Sequence, residues 1–294
     1  MALRRIYDNW SQLRAASGGP RTRARRDWQA WLERRPLIAY WGDSWFTTPL
    51  YRNLAWHSFS RIEGMSIRLG RPGLTAARML TPSACRDNAA RLATYGFDLL
   101  CVSAGGNDCL GERLAAIFAG RGRMDADAAF DAVVAHGTFE RLRARYALLM
   151  AAIDGVDGHV RVLGHGYAPP SRHAIGKPGA LTVRNLGLAA LVMGTTGPWL
   201  WPVMQPVLGN KADAERFAHR LLVEGLRDQV LAPTRAAWPE RFAYVDFSAV
   251  GSRDDAGFWY DEIHPTEAGF GLLATGFNAL LRHALPPAKR AAVG

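Results

Sequence analysis

Ser44 ends the tripeptide Gly42-Asp43-Ser44, directly after the apolar run Leu37-Ile38-Ala39-Tyr40-Trp41. A serine on a sharp turn after a buried strand is exposed at the sheet's edge. It can act as a nucleophile once a base takes its proton. Asp261 and His264 stand three apart in Asp261-Glu262-Ile263-His264-Pro265, a spacing that puts both on one side of a turn or helix start. A carboxylate there would accept the imidazole Nδ1 proton and leave Nε2 aimed at the serine. Acyl transfer also needs donors for the oxyanion. The candidates are the backbone N–H of Ser44, that of Gly73 in Leu69-Gly70-Arg71-Pro72-Gly73-Leu74-Thr75, and the side-chain amide of Asn107 in Gly105-Gly106-Asn107-Asp108. Glycine lets backbone come close to a substrate, and an amide donates without carrying charge.

His264 lies 220 residues beyond Ser44, so only the tertiary fold can bring them together. Short apolar runs predict strands at Leu37–Trp41, Met65–Leu69, Asp98–Ala104, His159–Leu163 and Phe242–Phe247. Between and after them, helices are predicted at Thr75–Leu80, Ser83–Tyr95, Phe130–Asp154 and from about Thr266 to His283. Strands alternating with helices define a doubly wound α/β domain, whose active residues gather beyond the carboxyl ends of the strands. The stretch Gly176 to Gly209 breaks the alternation and reads as an insertion. Its apolar core, Pro198-Trp199-Leu200-Trp201-Pro202-Val203-Met204, could be a lid or acyl-binding wall over Ser44. It could equally be a packed loop or an oligomer contact.

In order along the chain, Gly42-Asp43-Ser44, Gly73, Gly105-x-Asn107-Asp108 and Asp261-x-x-His264 resemble the four blocks of the SGNH (GDSL-type) hydrolases. The resemblance covers about residues 37 to 283. It implies a flavodoxin-like three-layer α/β/α sandwich with a parallel central sheet. It implies a triad of Ser44, His264 and Asp261, an oxyanion hole of Ser44, Gly73 and Asn107, and no metal or other cofactor. The expected activity is that of a serine esterase working through an acyl-enzyme on a small-molecule or lipid ester. A lysophospholipase, thioesterase or acyltransferase would use the same triad. A catalytically silent module binding lipid or glycan is the rival from another class. Two positions depart from the family pattern: Trp45 replaces an aliphatic residue, and Arg68 stands where the second block often has Asn. Gly70 therefore stays a rival to Gly73.

Trp45, Trp199, Trp201 and His165 are candidates for the substrate pocket; His165 precedes Pro169-Pro170 just after a predicted strand. Asp43 and Asp108 read as turn-forming residues, and Glu262 as solvent-facing. The histidines show no metal-ligand pattern such as His-Glu-x-x-His. Cys85, Cys101 and Cys109 are too few for a disulfide framework and read as small buried residues.

The net charge is +10, and residues 1–36 carry nine arginines against three acidic residues. Such a surplus can serve an anionic partner. No aromatic-basic ladder accompanies it, so nucleic acid is not expected, and a weak contact with an anionic surface is the most it suggests. The expected organisation is a basic N-terminal arm with one short helix over 1–36, a hydrolase domain over 37–285 and a tail over 286–294. The first residues lack the apolar run of a signal peptide. The uncharged stretch Leu186–Leu208 contains three prolines four apart, which would break a spanning helix. The expectation is a soluble, cytoplasmic protein; the sequence leaves the oligomeric state open.

Overall fold

The computed structural model describes residues 5–18, 22–156, 159–179, 199–250 and 254–294. Short apolar runs form the strands β1 (Arg5–Tyr7), β2 (Leu37–Gly42), β3 (Met65–Gly70), β4 (Leu99–Ser103), β5 (Arg161–His165) and β6 (Phe242–Val245). β2 and β4 are buried along their whole length, as strands covered on both faces must be. The sheet has the order β1-β3-β2-β4-β5-β6, and every pairing is parallel. With β1 set aside, this is the 2-1-3-4-5 order of the flavodoxin-like folds.

One helical layer packs Leu54–Phe59 against Glu267–Ala284. A buried chain of hydroxyls and amide ties it to the sheet, from Tyr40 through Ser58 to Asn278. The other layer brings Pro82–Tyr95, Thr138–Asp154 and the helical run 211–237 together. The strand order reverses between β2 and β4, whose carboxyl ends lie side by side with Gly42 opposite Ser103. Backbones close up there. A Cβ on Gly42 would lie 2.6 Å from the Ser103 Cβ, and one on Gly70 would lie 2.1 Å from the Gly42 carbonyl oxygen.

The structure departs from three of the sequence expectations. Segment 1–36 supplies the edge strand β1 and two helices, Trp10–Ser17 and Arg23–Leu32, where an arm with one short helix was expected. Leu13 and Trp28 of these helices are buried. The helix expected over Phe130–Asp154 is two, Ala126–Ala135 and Thr138–Asp154, separated at Gly137 with φ 73°. The expected tail folds into a tight helical turn, Pro287–Ala292. Its Lys289 donates to Asp98 at 2.6 Å, and Asp98 in turn accepts the Leu37 N–H. Of the insertion at 176–209, residues 180–198 lie outside the described residues, as does most of Leu186–Leu208; the helix Trp201–Leu208 follows them. Among the described residues no helix is long and apolar enough to cross a membrane.

Candidate active site

β2 delivers Ser44 to the reversal point. Asp43 caps a one-turn helix, Ser44–Thr47, by accepting the Trp45 N–H at 3.0 Å. Ser44 is the first residue of that helix, so its own N–H has no intrahelical partner. The Asp43 carboxylate also takes hydrogen bonds from the Ser103 hydroxyl at 2.7 Å and the Tyr167 hydroxyl at 2.5 Å. Burial pushes its carboxyl above the ordinary range, against the pull of these three donors.

The loop before the last helix delivers the other two residues. Asp261 Oδ1 accepts the backbone N–H of Ile263 at 2.9 Å and of His264 at 2.8 Å, which makes the turn self-supporting. His264 Nδ1 sits 2.8 Å from Asp261 Oδ2 and 3.0 Å from Oδ1. His264 Nε2 sits 2.6 Å from Ser44 Oγ. With the Nδ1 proton held by the carboxylate, Nε2 is free to accept from the serine hydroxyl. Asp261, His264 and Ser44 are all buried, with Ser44 8% exposed.

Asn107 lies in the short helical turn Gly106–Cys109 after β4. It lines the same cavity as Ser44. One N–H of its amide donates to the Leu74 carbonyl at 3.0 Å, and the other is left for a ligand. That bond ties the Gly73-Leu74 turn to the site. Gly73 itself has φ 74° and stands exposed, and the cavity is lined without it. Gly70 ends β3 against Gly42 and serves the close backbone approach described above. Asp108 accepts the Ala76 N–H at 2.7 Å, and burial pushes its carboxyl up to about 6.

Beside Ser44 the cavity measures about 40 Å³. Its polar end is Ser44 and Asn107, and its walls include Leu110, Leu200, Leu221, Leu222 and Ile263. Trp45 lines it too, while the Trp199 ring stands nearly perpendicular to that of His264 with centroids 5.4 Å apart. Trp201 packs against Gly176 instead and is not a wall of the cavity. His165 is also placed elsewhere than expected: it is 1% exposed, stacked behind Trp45 with centroids 5.3 Å apart. Its position at the end of β5 turns the ring into the core. Cys85, Cys101 and Cys109 are free and buried.

Glu262 overturns its solvent-facing expectation. Its side chain is fully buried and accepts backbone N–H groups from Gly176, Leu200 and Trp201. Burial pushes its carboxyl up, opposed by those donors. Tyr167 and Tyr51, whose ring lies 6.0 Å from that of His264, were also missed. Tyr167 could have been found from its place just past the carboxyl end of a predicted strand. Among the described residues no cluster of His, Cys, Asp and Glu could hold a metal ion.

No family model matches the chain, and no curated protein does either. Solved structures do. A lipase from a goat rumen metagenome matches at 12% identity and TM-score 0.50, over 83% of this chain and 96% of its own. An extracellular lipase from Streptomyces rimosus matches at 16% identity and TM-score 0.47, over 85% and 99%. A chain from Slackia heliotrinireducens assigned to the SGNH hydrolases matches at 15% identity and TM-score 0.40, over 83% and 97%. The parallel sheet, its strand order and its helices on both faces make this a flavodoxin-like α/β/α fold, which the chain shares with the rumen lipase.

Proposed function

We propose that the chain hydrolyses carboxylic esters through an acyl-enzyme on Ser44, with His264 and Asp261 completing a catalytic triad. The observation that carries this reading is the 2.6 Å approach of Ser44 Oγ to His264 Nε2, with Asp261 behind the ring. Ser44 Oγ attacks the ester carbonyl while Nε2 takes its proton. Asp261 holds the imidazole in the correct tautomer and stabilises the imidazolium. The oxyanion falls to the Ser44 N–H and the free N–H of Asn107. His264 then gives its proton to the leaving alcohol as the C–O bond breaks. Water, deprotonated by the same nitrogen, attacks the acyl-enzyme and releases the carboxylic acid and Ser44.

Ser44→Ala removes the nucleophile. It is expected to lower kcat on p-nitrophenyl esters by about 10³-fold or more, with the protein still folded by circular dichroism. A fully active variant would sink the reading. A fluorophosphonate probe separates an enzyme from a silent binding module. Labelling on Ser44, absent from Ser44→Ala and weak in His264→Ala, is the result expected of the enzyme.

A further inference from the structure

Glu262 sits between Asp261 and His264 but takes no part in their chemistry. Both its oxygens are occupied: Oε2 accepts Leu200 N–H at 2.6 Å, and Oε1 accepts Gly176 N–H at 2.8 Å and Trp201 N–H at 2.9 Å. The Trp199 N–H adds to the same cradle. These donors lie 61 to 86 residues earlier in the chain. A buried carboxylate is costly unless hydrogen-bonded, and charge-assisted bonds to backbone N–H are among the strong ones. Glu262 therefore fastens its own loop to two distant segments, at Gly176 and at Trp199–Trp201.

The Trp199–Trp201 segment and the loop that carries His264 both reach the site. Trp199 stands edge-on to His264. Leu200, 1% exposed, is one wall of the cavity beside Ser44, and Ile263, next to Glu262, is another. The cavity's 40 Å³ is room for about three water-sized positions, at roughly 10–15 Å³ each. Beyond its Ser44 and Asn107 end, Leu110, Leu200, Leu221 and Leu222 offer an acyl chain only apolar contact.

We propose that Glu262 is a positioning residue that locks the Trp199–Trp201 segment onto the His264 loop, and that the Leu200 wall so fixed limits the substrate to short acyl chains. The inference rests on the ester-hydrolase reading above. On this proposal a short acyl group is held between these walls, and an eight-carbon group meets Leu200 and the helix that carries Leu221 and Leu222. Glu262→Gln turns an NH₂ group toward the Leu200 N–H, donor against donor, and loosens that wall. Leu200→Ala removes the wall and leaves the fastening intact.

The test measures kcat/KM for p-nitrophenyl acetate, butyrate and octanoate on the full-length protein and both variants, with fluorophosphonate labelling of Ser44 alongside. The wild type is expected to favour butyrate over octanoate by about tenfold or more. Each variant is expected to narrow that ratio about tenfold while Ser44 still labels. If Glu262→Gln does not yield folded protein, Glu262→Asp, one methylene too short to reach all three donors, carries the same expectation. A variant that melts earlier but keeps the wild-type ratio overturns the positioning role. A wild type that favours octanoate overturns the short-chain pocket. A wild type that hydrolyses no ester and does not label overturns the ester-hydrolase reading itself, a different result from either.

Discussion

Trp45, the residue after Ser44, packs against several rings as well as lining the cavity. Tyr167 and Phe270 meet it edge-on with centroids at 4.8 and 5.2 Å, and His165 stacks on it at 5.3 Å. His165 is out of place chemically: Nδ1 donates to the Gly166 carbonyl at 3.2 Å, while Nε2 is buried with no partner. Burial pushes its imidazolium down to about 4, from about 6.5 in an unfolded chain. Below pH 6.5 the unfolded chain takes up a proton that the folded chain refuses until the pH has fallen through 4. The neutral ring's contribution is thus present above pH 6.5 and lost on acidification through that window, in all about 3 kcal/mol. His165→Phe keeps a ring in the stack and removes the proton site. Urea unfolding at pH 7 and pH 4.5 should show the variant losing about 2–3 kcal/mol less than the wild type on acidification. Equal losses in both proteins would refute this. Ser44, Asn107, Asp261 and His264 were legible in sequence because each is a reactive or donor type placed just past a strand or in a tight turn. Glu262 was not, because a carboxylate at such a turn is ordinarily solvated and its donors come from a distant segment.

At the scale of elements, the cavity wall depends on a helix of unusual pitch. Leu221–Leu231 is π-helical: at its end the Ala232 N–H bonds to the Arg227 carbonyl, five residues back. Such wide turns recur at functional sites, and this one carries Leu221 and Leu222 into the cavity. Gly225, within it, lets the Phe139 ring come so close that a Cβ would lie 2.0 Å from its Cζ. Helix propensity favours Gly225→Ala by about 1 kcal/mol. Overpacking against a ring that is itself buried costs about 1–3 kcal/mol, so the clash wins. The variant should melt lower than the wild type in a thermal scan, with reduced butyrate hydrolysis as the wall shifts. A raised melting temperature would show that Phe139 has room to move. Five strands were legible as apolar runs, but the wide turn carries no signal in an apolar helix pattern. β1 was missed because three residues beginning with Arg5 show no alternation. The break at Gly137 was missed because apolar spacing continues through both flanking helices.

At the scale of the whole molecule, the described part of residues 1–36, which carries most of that segment's arginines, is structure that the domain needs. Arg68 of β3 bonds Asp8 at 2.6 Å, and Arg35 bonds Glu63 at 3.1 Å. These exposed pairs are worth little individually. The apolar contacts matter more. Tyr7 closes the edge of the sheet beside Ile67, Leu13 and Trp28 are buried, and Trp10 stacks on Tyr95 and meets Phe97 edge-on. Removing residues 1–36 would expose those faces and leave β3 as an uncovered edge, ready to pair with another chain. Three buried side chains at about 1.5–3 kcal/mol each amount to roughly 5–9 kcal/mol. At about 2–4 °C per kcal/mol for a chain of this size, that is a loss of about 10 °C or more in Tm. A chain beginning at Leu37 is therefore expected to melt at least 10 °C lower than the full chain, or to aggregate on expression. A dispensable arm would leave Tm and ester hydrolysis unchanged, and that outcome would return these nine arginines to the surface role their charge first suggested.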